Sequence, residues 1–148
     1  MKKILYLTLF IFVVTAFFSQ SAKAQTEAQR VELCTRLAGG ATLQNSYTPQ
    51  LLGASPGQRP PNFRQAVAFR ARNVYRITVC TDEDSQGEAI VQVLDGATVL
   101  GTNLRSDGTI VQNFDIESSK TGPYMVMVSI KDGREGSAVI VISHVRSM

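Results

Sequence analysis

The run Tyr124-Met125-Val126-Met127-Val128-Ser129-Ile130, the turn Lys131-Asp132-Gly133-Arg134-Glu135-Gly136, and the run Ala138-Val139-Ile140-Val141-Ile142 decide the fold class. In the first run Tyr124, Val126, Val128 and Ile130 recur at every second position. Successive side chains of a strand point to opposite faces, so this period marks a strand with one face in a core. The six residues of the turn are polar apart from two glycines, the composition of a chain reversal. The last strand, Ala138 to Val145, is apolar on both faces from Val139 to Ile142, which predicts a place near the middle of a sheet.

The same pattern extends upstream. Tyr75, Ile77 and Val79 alternate with Arg76, Thr78 and Cys80, and Val67 and Phe69 alternate before a break near Arg72-Asn73. Glu88 to Leu94 reads as a strand, Asp95-Gly96 as a type I′ hairpin signal, and Thr98 to Asn103 as the returning strand. Ile110, Phe114 and Ile116 mark one more, after a turn at Ser106-Asp107-Gly108. Short strands every 8–12 residues with turn residues between them predict a mainly β chain, an antiparallel β-sandwich of jelly-roll or Greek-key type. Ala41 to Leu52 is weakly patterned and is expected to hold at most one edge strand. The proline-rich loop Ser55 to Asn62 lacks the N–H donors of a central strand.

One short N-terminal helix is expected, over Thr26 to Leu37. Thr26 and Gln29 fit a capping box, Val31, Cys34, Leu37 and Ala38 line one face, and Gly39-Gly40 ends it. Residues 25–62 thus form a helix and loop region attached to a sandwich over 63–148, the two making one domain.

Residues 1–24 read as a secretory signal peptide. Lys2 and Lys3 precede the charge-free apolar stretch Ile4 to Phe18, and Ala22-Lys23-Ala24 places small residues before a cut ahead of Gln25. Fifteen residues reach only about 22 Å as helix, short of a bilayer core of about 30 Å, so no membrane span is expected after cleavage. Localisation is therefore expected to be secreted or periplasmic. All twelve acidic residues lie in the mature part, while three of the fifteen basic residues leave with the signal. The mature net charge is near zero, and the precursor pI of about 9.1 is no argument for nucleic-acid binding. In an oxidising compartment the two cysteines, Cys34 and Cys80, are expected to form a disulfide.

Several stretches resemble the bacterial pre-peptidase C-terminal (PPC-like) β-sandwich domains. They are Val74-Tyr75-Arg76-Ile77-Thr78-Val79, Ile90-Val91-Gln92-Val93-Leu94-Asp95-Gly96, Phe114-Asp115-Ile116, and Thr121-Gly122-Pro123-Tyr124-Met125-Val126-Met127-Val128. The chain also resembles small secreted Bacteroidetes-type proteins that carry this module alone behind a signal. The resemblance implies a non-catalytic sandwich of the kind that accompanies secreted peptidases and binds polymers or calcium. Tyr124 fits a tyrosine corner, its hydroxyl bonding back to nearby backbone.

Candidate chemistry is sparse. His144 is the single histidine and no G-x-S-x-G elbow is present, so a Ser-His-Asp hydrolase is expected only if His144 gathers a serine and an acid. Zinc lacks ligands. Asp82, Asp84 and Glu88 are the candidate calcium ligands, though the spacing departs from the EF-hand loop. No other cofactor is expected. Arg70, Arg72 and Arg76 are the candidate ligand-binding residues, because guanidinium grips carboxylate or phosphate through two parallel hydrogen bonds. Met125 and Met127 are expected to be core. The mature chain has no Trp and six aromatics, which argues against an open aromatic platform for sugars. The expected function is a secreted non-catalytic binding or structural module contacting a protein or cell-envelope polymer. The alternatives are a small hydrolase or a calcium-dependent carbohydrate-binding module.

Overall fold

A computed structural model of the chain describes residues 21–148. The signal expected at 1–24 lies almost wholly outside them. Two antiparallel sheets face each other, as the alternation predicts. The first holds β1 (Thr42–Tyr47), β9 (Gly136–Ser147), β4 (Asn73–Thr81) and β7 (Asn113–Ser118) in that order, with the two-residue β2 (Gln50–Leu51) also paired to β9. The second holds β3 (Phe63–Phe69), β8 (Gly122–Ile130), β5 (Ala89–Asp95) and β6 (Thr98–Thr102).

The inward-facing residues of both sheets make the main core. Val67 and Phe69 meet Tyr124, Val126 and Val128 from one side and Tyr75, Ile77, Ile140 and Ile142 from the other. Strand β9 is apolar on both faces because its outer face is covered as well. There Val139 and Val141 pack against Cys34 and, at the margin, Val31 and Cys80. The cover is helix α1 (Ser21–Arg36), which contacts β9 and β4.

Helix α1 begins before Thr26, so the expected capping box does not mark its start. It ends one residue before the expected Leu37, and Gly39 and Gly40 follow in left-handed conformations with φ of 68° and 81°. A Cβ there would be strained, so glycine suits the reversal. Cys34 and Cys80 form a disulfide, tying the helix to β4.

Three expectations need correction. The sandwich begins at Thr42 rather than Phe63, because residues 42–51 supply two strands instead of one. Their alternation is hidden since β1 is an edge strand with mostly exposed side chains. The β5–β6 hairpin pairs Asp95 with Thr98, so its two turn residues are Gly96 and Ala97. Positive φ falls on Gly96 alone, the pattern of a type II′ turn and not of type I′. Met125 and Met127 are half-buried on the outer face of the second sheet rather than in the core. Among the described residues the helix covers the other sheet, and Met125 and Met127 border a hollow with Ala66, Leu94 and Arg64.

Two polar devices complete the sandwich. The Tyr124 hydroxyl donates to the Lys120 carbonyl at 2.9 Å, the expected corner. Buried Asn103 stands in for a strand partner: its Oδ1 accepts from Val91 N at 2.7 Å and its Nδ2 donates to Ala89 O at 2.9 Å.

Candidate binding cleft

One end of the sandwich is irregular in three ways, and all three surround His144. In the β4–β9 ladder Val74 pairs with Arg146 but Tyr75 pairs with His144, so Val145 is an extra residue on β9. Side chains alternate along a strand, so this bulge brings Ser147 onto the same face as His144. In the β1–β9 ladder Leu43 pairs with Ser143 and Asn45 with Ile142, which leaves Gln44 as a second bulge. The third irregularity is Arg72, a non-glycine residue at φ 60° in the β3–β4 connection. Such a conformation persists only where the surroundings over-determine it.

They do so here. Arg70 N donates to the Tyr75 hydroxyl at 2.9 Å and Ala71 N to Thr121 Oγ1 at 2.9 Å. Arg72 N donates to Ser118 O at 2.8 Å, and Arg72 O accepts from Met148 N at 2.8 Å. The carbonyl of Arg70 accepts from the Ser118 hydroxyl and from Asn73 Nδ2, which also reaches the carbonyl of Ala71. Every backbone N–H and carbonyl of the three-residue connection therefore has a partner. Arg70 and Arg72 carry exposed side chains on this pinned stem.

The result is a cleft of about 620 Å³, lined among others by Gln44, Arg70, Asn73, Thr121, His144 and Ser147. Its volume lies within the range of small-ligand sites. Asn73 is its hub. Asn73 Oδ1 accepts from Ser147 Oγ at 2.7 Å and from His144 Nε2 at 3.1 Å. The histidine ring lies edge-on to Tyr75, centroids 5.8 Å apart. His144 thus gathers a serine but no acid: both groups point their protons at one amide oxygen, so no base faces the Ser147 hydroxyl. A nucleophile needs that base.

The candidate arginines separate. Arg76 turns to the outer face of the first sheet and grips Asp115 with two bonds, Nε to Oδ1 at 2.8 Å and Nη2 to Oδ2 at 2.9 Å. Its third nitrogen donates to Ala38 O at 3.2 Å, clamping the chain just after the helix. Hydrogen bonding to Asp115 holds the Arg76 pKa above its ordinary value. Arg76 is a structural clamp, while Arg70 and Arg72 stay at the cleft end.

The candidate calcium ligands do not converge. Asp82 is largely buried, and its Oδ2 receives both Arg30 and the Ser137 hydroxyl. Asp84 lines the hollow beside it, whereas Glu88 borders a different one with Asn103 and Gln112. Among the described residues no three His, Cys, Asp or Glu side chains form a group able to hold a metal ion.

No known family's sequence pattern matches the chain, and no curated protein matches it in sequence. Solved structures do resemble it. A periplasmic inhibitor of g-type lysozyme from Aeromonas hydrophila, PliG, is 13% identical with a TM-score of 0.51, over 73% of this chain and 90% of that one. The pre-peptidase C-terminal domain of a Bacillus anthracis collagenase is 16% identical with a TM-score of 0.48, over 69% and 90%.

Asn73, Gln44, Thr121 and Ser147 were not singled out by sequence reasoning. The break at Arg72-Asn73 was the one visible signal, since a polar pair interrupting two alternating runs marks a connection.

Proposed function

We propose that this chain is a secreted or periplasmic, non-catalytic module that binds a partner protein through the cleft at the Arg70 end of the sandwich. The observation that carries this reading is the arrangement around Asn73. Two bulges and a pinned, strained turn bring polar groups to one concavity without assembling a nucleophile, a base and an acid. Bulges and strained residues gather at functional sites, where they re-aim side chains. A disulfide across 46 residues fits an oxidising compartment. No helix among the described residues is long and apolar enough to cross a membrane. The similarity to PliG, a periplasmic protein that inhibits another protein, supports the choice of a protein partner over a polymer.

The test is affinity capture from the envelope fraction of the native host, with two variants that plug the cleft from different walls, Gln44→Trp and Ala68→Trp. Both positions are exposed and line the cleft. A discrete protein held by wild type and lost from both plugged forms is the expected result. Equal capture by all three proteins would remove the cleft from the account.

A further inference from the structure

We propose that the cleft receives an aspartate or glutamate side chain of the partner, its carboxylate gripped by Arg70. This rests on the reading that the cleft is the recognition site and adds the chemistry of what enters it.

Charge is the first argument. The cleft lining includes the cationic Arg70 but no Asp or Glu. Arg70 forms no ion pair among the described residues, although Arg30, Arg36, Arg76 and Lys120 each have a carboxylate. The Arg70 backbone is fully hydrogen-bonded, so only side-chain freedom is lost when its exposed guanidinium meets a planar anion.

The remaining polar atoms say what accompanies that anion. The Asn73 amide is saturated, with two donors on Oδ1 and two carbonyls on Nδ2. It serves as scaffold and not as ligand contact. Ser147 gives its single proton to Asn73, which leaves lone pairs that only a donor can satisfy. Because Asn73 Oδ1 is an acceptor, the His144 Nε2 that meets it carries a proton. Thr121 Oγ1 accepts from Ala71 N and keeps its own proton to donate. The cleft therefore offers a cationic fork and a hydroxyl donor for an anion, beside an acceptor for N–H groups. An acidic residue within a peptide supplies both, a carboxylate and neighbouring backbone N–H donors.

An acidic sugar shares the carboxylate but fits less well. The aromatic walls, Phe69 and Tyr75, are fully buried and stacked on each other at 4.3 Å, so neither ring face is open to a pyranose.

The experiment uses the mature chain and four probes: the blocked tripeptide acetyl-Gly-Glu-Gly-amide, its Gln counterpart, glucuronate and inorganic phosphate. Backbone amide resonances of Gln44, Asn73 and His144 report binding. The Glu peptide is expected to shift them, the Gln peptide to bind at least about tenfold more weakly, and Arg70→Gln to weaken the Glu peptide by about the same factor, as loss of a charge-assisted pair implies. Arg64→Gln, on the outer face of the second sheet, should leave binding unchanged. Equal binding of the Glu and Gln peptides, no loss in Arg70→Gln, or no shift up to about 50 mM Glu peptide would overturn the proposal. Tighter binding of glucuronate or phosphate than of the Glu peptide would also overturn it, in favour of a sugar or phosphate ligand. If the plugged variants lose the captured protein while Arg70→Gln keeps it, the cleft stands and the carboxylate falls. If the plugged variants keep it, the cleft itself falls.

Discussion

Replacing both cysteines, Cys34→Ala with Cys80→Ala, should cost the protein about 4 kcal/mol of stability. The bond joins residues 46 apart in sequence. In the chain-entropy model, closing a loop of that length removes about 13–14 cal/mol/K from the unfolded ensemble, or about 4 kcal/mol at 25 °C. The native side of the argument points the same way. Helix α1 buries Cys34 and packs Val31 at the margin, Ala38 follows just after it, and Leu33 and Leu37 stay 58% and 47% exposed. So few apolar contacts stabilise a docked helix by only a few kcal/mol. Two transitions can therefore be told apart. Urea unfolding followed by near-ultraviolet tyrosine signals reports the sandwich core, where Tyr75 and Tyr124 lie. Far-ultraviolet helicity reports α1. Without the disulfide the core midpoint should fall, and helicity should be lost before the core unfolds. A double variant within about 1 kcal/mol of wild type with one coincident transition would refute the reasoning, because neither loop closure nor tethering would then matter.

Further expectations concern single side chains. Arg76→Gln should destabilise by about 1–2 kcal/mol, a modest figure because the pair is 29% and 40% exposed, and Asp115→Asn should add little to it in a double-mutant cycle. Arg70→Gln and Arg72→Gln should leave the melting temperature within a degree or so, since both side chains are exposed and only their backbones are bonded. Asn103→Ala should cost about 2–3 kcal/mol by urea titration, because Val91 N and Ala89 O would lose partners in a buried place. Millimolar calcium should leave the melting temperature unchanged, as Asp82 is already committed to Arg30 and Ser137. A calcium-dependent rise abolished by Asp84→Ala would instead place a site in that turn.

The strands facing the core were legible because burial on one face writes a period of two into the sequence. Tyr75-Ile77-Val79 and Tyr124-Val126-Val128 are examples. Strand β9 was legible as central because only a doubly covered strand is apolar on both faces. Strands β1 and β2 were obscure: at an edge, Tyr47 and Leu51 alone pack against the main core, and the bulge at Gln44 breaks the alternation. Arg76 looked like its neighbours Arg70 and Arg72 because its partner Asp115 is 39 residues away and pairing across a ladder leaves no local trace. The cleft was hidden for the same reason. Bulges are defined by a partner strand, so nothing within Ser143-His144-Val145-Arg146-Ser147 tells that Ser147 returns to the face of His144. The outer face of the second sheet was misread because alternation says which residues share a face and not whether another layer covers it.

The central claim, that the partner is held at the cleft end, is tested most directly by photo-crosslinking. A benzoylphenylalanine placed at Gln44, Ala68 or Met127 samples two cleft walls and the outer face of the second sheet. In the native envelope fraction, the account predicts that Gln44 and Ala68 yield the same covalent adduct with one protein and that Met127 yields none. An adduct from Met127 alone would contradict it and move recognition to the methionine face.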